Sequence, residues 1–253
     1  MTRPTARTLA AAMAVAATLA CSESTSSAAS SMTFRIAVVS PSVGTSAALS
    51  VAFTQVPIVG SNGTLTIEQI WMVVDEFRLE RVPGTCDVSG NEPDEDCARF
   101  EAPPAFLPVS LDGTTPGTVA MPAAAGTYEE LKFETREPRA DGVLLAEIRQ
   151  QFPDWPEDAS QLMVGTFTPV GGTAIPFRAY FHGEVLVELA FDEPLEVVAG
   201  GDQTVAVFVD PAIWFVQSDG SVLDLTQFDF DATGEVAELE AKFQEGFTKI
   251  EVD

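Results

Sequence analysis

Histidine, cysteine and basic residues are all scarce: the 253 residues hold one His, three Cys, and 13 Lys plus Arg against 38 Asp plus Glu. With one imidazole, His182, there is no HExxH or HxxxH pair, and the cysteines show no CxxC spacing, so a soft-metal site has little to be built from. GxSxG and GxxxxGK[ST] are absent too, which removes the nucleophile elbow and the phosphate-cradling loop. His182 stands before Gly183 at the end of a strand-like run and reads as a surface or satisfied residue. The formal net charge of −25 repels phosphate backbones and anionic head groups, so nucleic acid is not an expected partner. The acidity reads first as a solubility device, with cation gathering as the alternative.

Long apolar runs are also missing, apart from the start. Arg3 and Arg7 precede an acid-free run from Thr8 to Ala20 that ends at Cys21. That is the order of a secretory signal, and it is well short of the roughly twenty residues a bilayer-spanning helix needs. The expected organisation is a leader over 1–20, a flexible Ser-rich tether over 21–32, and one domain over 33–253 with a C-terminal amphipathic helix.

Folding material is plentiful. Hydrophobic residues make up 46% of the chain, and the aromatics are mostly Phe, which excludes a disordered polymer. Apolar and polar residues alternate at Phe34-Ile36-Val38, at Leu49-Val51-Phe53 and from Thr64 to Arg81, where Gln69 and Asp75 interrupt the period and predict bulges. Further strands are expected over Phe106–Leu111, Thr118–Met121, Glu130–Thr135, Leu162–Thr168, Ile175–Phe181, Glu184–Phe191, Thr204–Val209 and Trp214–Gln217. Turns such as Gly60-Ser61-Asn62-Gly63 and Asp219-Gly220 separate such runs. The fold class this predicts is all-β: an antiparallel β-sandwich with two short peripheral helices, Val143–Phe152 and Glu235–Phe247.

The Thr18-Leu19-Ala20-Cys21 end of the leader resembles the lipobox of bacterial lipoproteins, whose cysteine is acylated. Thr18 stands where such leaders usually carry Leu, which leaves plain cleavage after Ala20 as the alternative. Lipidation at Cys21 would anchor the chain to a membrane facing the periplasm or cell exterior, and Ser22 after the cysteine resembles outer-membrane sorting. Cys86 and Cys97 then remain for a disulfide across an acidic loop, as an exported compartment allows. Gly63-Thr64-Leu65 through Glu80-Arg81, the Cys86–Cys97 loop, Val109-Ser110-Leu111-Asp112-Gly113, Ala125-Gly126-Thr127-Tyr128 and Trp214-Phe215 with Asp219-Gly220 are similar to a family of uncharacterised bacterial lipoproteins. Their prealbumin-like β-sandwich is a domain of unknown function, so the resemblance implies a fold and an address rather than a reaction.

One pattern points to a ligand. Asp229, Asp231 and Thr233 at positions one, three and five, Gly234 at six, the Glu235 carbonyl at seven and Glu240 at twelve match an EF-hand-type calcium loop. The competing reading is an ordinary helix start with Thr233 or Asp231 as N-cap. No other cofactor is expected. Trp71, Trp155 and Trp214 read as core, with Trp155, between Pro153 and Pro156, the best placed to be a solvent-facing sugar platform. The leading functional expectation is a non-enzymatic, lipid-anchored envelope protein that binds an extracytoplasmic ligand or protein. A calcium-binding envelope protein is the first alternative. A carboxylate-based hydrolase, which needs a concave acidic cleft, is the second.

Overall fold

The computed structural model describes residues 30–39, 55–82, 99–112, 118–140, 142–238 and 242–252. Cys21, Cys86, Cys97 and Glu240, with the lipidation and disulfide expected of the cysteines, lie outside them. The described residues form an all-β sandwich of two sheets with short helices at its periphery.

The smaller sheet runs β13 (Phe247–Val252), β11 (Asp202–Val209), β1 (Ser30–Val38) and β6 (Thr118–Ala123) in spatial order. The larger runs β10 (Val185–Val197), β7 (Gly126–Thr135), β3 (Gly63–Arg81), β8 (Gln161–Pro169), β9 (Ile175–His182) and β12 (Ala237–Glu238). The short strands β2 (Val56–Gly60), β4 (Arg99–Ala102) and β5 (Ala105–Pro108) pair with β3 as well. Two pairings, β1 with β11 and β9 with β12, are parallel, so the sandwich is mixed rather than purely antiparallel.

The core lies between the sheets. Phe34 of β1 meets Phe77 of β3 edge-on at 4.7 Å and Phe133 of β7 at 5.7 Å, and Phe133 in turn meets Phe247 at 5.4 Å. Each such ring contributes about 2–3 kcal/mol by leaving water.

Strand β3 is the spine. Its register shifts fall at Ile67/Gln69 against β8 and at Asp75/Arg78 and Glu80/Arg81 against β7, and the first two are the places where the alternation breaks. Along one edge it is covered end to end by two different strands: β8 pairs with Gly63 to Met72, and β7 with Val74 to Arg81. Between them is a break, with Thr135 ending β7 beside Val74 and Gln161 starting β8 beside Met72. Residues 136–160 leave the sheet through this break and return through it. On the way they form helix α1 (Val143–Gln151), which packs Leu145 and Ile148 onto the sheet's outer face.

That outer face carries a second core. Val73, Leu162 and Tyr180 from the strands bury against Leu145, Ile148, Trp155 and Ala159 of the excursion. Ile70-Trp71-Met72-Val73-Val74 therefore has apolar partners on both faces, and its unbroken apolar run follows from that.

Four expectations are corrected. Ser30 to Met32 belong to β1 and not to a tether: Ser30 is buried and donates its hydroxyl to Val198 O at 2.8 Å. Trp214 lies in helix α2 (Pro211–Phe215), not a strand, because Asp210 accepts from Ala212 N–H at 2.9 Å and Pro211 supplies a helix-ready φ at the first position. The helix expected over Glu235–Phe247 is not one element. Helix α3 (Phe230–Thr233) stops at Gly234, whose φ of +69° closes it; Ala237–Glu238 then pairs with β9, α4 (Lys242–Glu245) is a single turn, and β13 adds to β11. The edges of β9 and β11 supply partners for 237–238 and 247–252, and tertiary pairing of this kind overrides a local helical pattern. Trp155, finally, is 1% exposed and donates to Ala159 O at 3.1 Å, which removes it as a sugar platform.

Candidate functional site

The excursion is fastened before it can shape anything. Arg149 of α1 donates from both Nε and Nη2 to Trp155 O at 3.1 Å, closing the helix onto the 152–158 loop. Phe106 of β5 packs edge-on against Trp155 at 5.0 Å and stacks on Trp71 at 4.8 Å. Tyr180 then links Trp155 to Phe230 of α3.

Arg178 of β9 ties this layer to the C-terminal segment. Its guanidinium pairs with Asp154 and Asp231 and lies over the rings of Tyr180 and Phe230 at 5.6 and 5.9 Å. Its backbone N–H donates to Asp229 Oδ1 at 2.9 Å. Burial opposes the Arg178 charge, but the hydrogen bonds to Asp154 and Asp231 outweigh it and hold the proton on. The hydrogen bond from Arg178 in turn keeps the Asp154 carboxyl below its usual range. Tyr180 is pushed up to about 12, first by burial and then by the charge on Asp154.

This arrangement accounts for most of the expected calcium loop. Asp229 and Asp231 spend oxygens on Arg178, and Thr233 Oγ1 donates to Asp229 O at 2.9 Å and accepts from Glu235 N–H at 3.2 Å. Asp229 is the N-cap residue of α3 by position, without a side-chain capping bond. Among the described residues no group of three or more His, Cys, Asp or Glu side chains is placed to hold a metal ion.

A different concave site opens where the excursion leaves the sheet. A cleft of about 340 Å³ runs between the start of α1 and β3. Its apolar surface comes from Val73, Pro104, Pro138, Val143 and Leu144, and its charges are Asp75, Glu137 and Glu147 against Arg139. A second hollow of about 380 Å³ continues past the shared Pro104, Leu144 and Glu147 to Phe106 and Ile148. Both are at the lower end of the size range for small-molecule sites.

The inner end of the cleft is the electrostatically dense one. Arg136 stands within 3.6–3.8 Å of Asp75, Glu76, Glu134 and Glu184, so one guanidinium serves four carboxylates. Glu134 is accordingly raised above its ordinary range, first by burial and then by Glu184, Glu76 and Asp75, with Arg136 opposing. Glu76, the extra residue of the β3 bulge, has a φ of +49°, a left-handed conformation that costs a non-glycine residue about 1 kcal/mol or more. Its N–H donates to Asp75 Oδ1 at 2.9 Å, and its carboxylate accepts from Arg78 at 2.6 Å.

His182, at the end of β9, meets the Asp158 carbonyl through Nδ1 at 2.8 Å. A carbonyl only accepts, so Nδ1 carries the proton. Glu137 Oε2 lies 4.0 Å from that nitrogen, beyond hydrogen-bond reach, and has no hydrogen-bond partner of its own among the described residues. In the sequence Asp75 stands out only as a fault in the alternation, and nothing there marks Glu137 or the cleft.

The class defined by these features is a two-sheet β-sandwich with a helix-capped cleft on its outer face. No family model matches the chain, and no curated protein does. Among solved structures it is similar to MbnP from Methylosinus trichosporium, 16% identical over 88% of this chain and 97% of that one, with a TM-score of 0.35. That likeness is too slight to carry fold or function across. No described helix is long and apolar enough to cross a membrane.

Proposed function

We propose that this protein is a non-enzymatic, lipid-anchored component of the cell envelope, of the lipoprotein family it resembles, that holds a small extracytoplasmic ligand in the cleft between α1 and the large sheet. One observation carries the reading: an apolar-floored, charged-rimmed cleft built on a fastened excursion rather than on a loose loop. The chemistry-bearing groups nearby favour binding over catalysis. Asp75 already accepts from Glu76 N–H and faces Arg136, and His182 Nδ1 is spent on Asp158 O. Outer-membrane anchorage through Cys21 belongs to the same proposal, supported by the leader and by Ser22.

Native mass spectrometry of the protein as isolated from cells tests the binding half, with Val143→Trp as the cleft-blocked control. Val143 is 75% exposed, so the larger ring fills the cleft mouth without entering a core. A co-purifying small molecule present in the wild type and lost in the variant is expected. The reading is overturned if nothing co-purifies and no member of a metabolite panel raises the melting temperature of the wild type above that of the variant. Metabolic labelling with palmitate, lost in Cys21→Ala, tests the anchor.

A further inference from the structure

We propose that the outer edge of β10 takes up an extended segment of another protein by strand addition, a segment in which Lys or Arg alternates with aliphatic residues. This goes beyond the cleft and does not depend on it.

Length and regularity single out the edge. The other strands at the margins of the sheets are short: six residues in β6 and β13, five in β2 and two in β12. In β6, Pro122 also lacks an N–H to offer. Strand β10 has thirteen residues and pairs with β7 alone, and from Val185 to Ala190 its register runs without a shift. Alternate N–H and C=O groups along that run point away from β7 and meet no backbone partner among the described residues.

The two faces of β10 set the chemistry of the partner. Toward the core stand Val185 and Val187, buried, and Leu189, half-buried. On the opposite face Leu186 and Glu188 are exposed, with Glu184 just ahead of the strand. Glu184 and Glu188 remain 56% and 45% exposed although they face Arg136 and Lys132. Lys132 is shared with Glu130, and Arg136 with three other carboxylates, so the flank keeps an excess of negative charge. A strand laid beside β10 continues both faces, with every second side chain next to Glu184 and Glu188 and the others next to Val187 and Leu189. Opposite charges and aliphatic pairs are the favourable neighbours there, which gives the alternation of basic and aliphatic residues. A second copy of the chain, itself at −25, would set acidic edge against acidic edge.

A capped heptapeptide alternating Lys and Val, titrated into the protein by fluorescence anisotropy, tests the assignment. The controls are the same residues arranged in two blocks, and the alternating peptide with every second amide N-methylated. The alternating peptide is expected to bind once per chain, at least about ten-fold more tightly than either control, and to slow amide exchange over 185–191. Glu188→Gln should weaken it about two-fold or more, since one cross-strand charge pair is lost. A block peptide that binds as tightly would mean condensation on an acidic surface and would overturn the proposal. So would an N-methylated peptide of equal affinity, because backbone pairing would then play no part. Binding that leaves exchange over 185–191 unchanged, or no binding at all, would overturn it as well. A dimer of the protein alone with those amides protected would give the edge to a second copy and overturn the basic partner.

Discussion

Gln161 Nε2 donates to Thr135 Oγ1 over 3.4 Å in the fully buried interior, although the two residues end different strands and an excursion of the chain separates them. The bond spans the break beside β3, where Val73 N–H also donates to Ser160 O at 2.9 Å. The side-chain bond is thus what crosses the break, while the backbone bond ties its β8 side to β3.

A double-substitution cycle measures that bridge. Thr135→Val should cost about 1–3 kcal/mol by leaving the buried amide without its acceptor. Adding Gln161→Met should restore part of the loss, because both polar groups are then gone. Strict additivity in urea melts would show that the pair contributes nothing.

Arg178→Ala should unfasten two segments at once. The loss expected is about 1–3 kcal/mol, since both ion pairs are partly solvated, with faster amide exchange in 152–158 and 229–235 while β1 and β11 stay protected. Unchanged exchange in those two segments would mean that the aromatic packing alone holds them.

Glu134 gives a pH dependence of definite sign. Its folded-state pKa is raised, so the folded chain binds the proton more tightly than the unfolded chain, and stability falls as pH rises through the folded value. Glu134→Gln should therefore stabilise at neutral pH, by less than about 1 kcal/mol, and the gain should vanish below the ordinary glutamate range. A gain that persists in acid would assign the effect to something other than ionisation.

Gly246 leaves room for an indole. A Cβ there would lie 1.7 Å from Trp214 Nε1, the group that donates to Phe243 O at 2.9 Å while its ring stacks on Phe243 at 3.9 Å. Gly246→Ala should cost about 1–3 kcal/mol and shift the tryptophan emission, because the ring must move. An unaltered spectrum and melting temperature would count against the packing described.

Calcium offers a direct comparison of the two readings of residues 229–240. With Asp229 and Asp231 engaged by Arg178, melting in excess calcium and in chelator should coincide. A calcium-dependent rise abolished by Asp229→Ala with Glu240→Ala would reinstate the loop as a metal site.

The spine was the most legible element. Alternation from Thr64 to Arg81, with faults at Gln69 and Asp75, locates β3 and two of its three register shifts, because period-two burial is a local property. The C-terminal segment misled for the opposite reason: the spacing of Val236, Phe243 and Phe247 fits a helix, while the partners that make strands of 237–238 and 247–252 lie elsewhere in the chain. Asp210-Pro211 is a readable helix start ahead of Trp214, masked in the sequence by the apolar run behind it. The cleft was out of reach of periodicity, since its walls come from 73–75, 104 and 137–147 and meet only because Val74 pairs with both Ala105 and Thr135. One local hint existed: Ile70 to Val74 shows no polar face, which requires a second layer above the sheet.

Because residues 136–160 depart and return through one gap beside β3, the cassette they form has neighbouring endpoints and its own small core. Loop-closure cost rises only slowly with length, so such a cassette can be lengthened, shortened or exchanged while every strand keeps its register. Ligand preference and sandwich stability can then diverge along separate evolutionary lines, and grafting another cassette between Thr135 and Gln161 is a route to new specificities on the same frame.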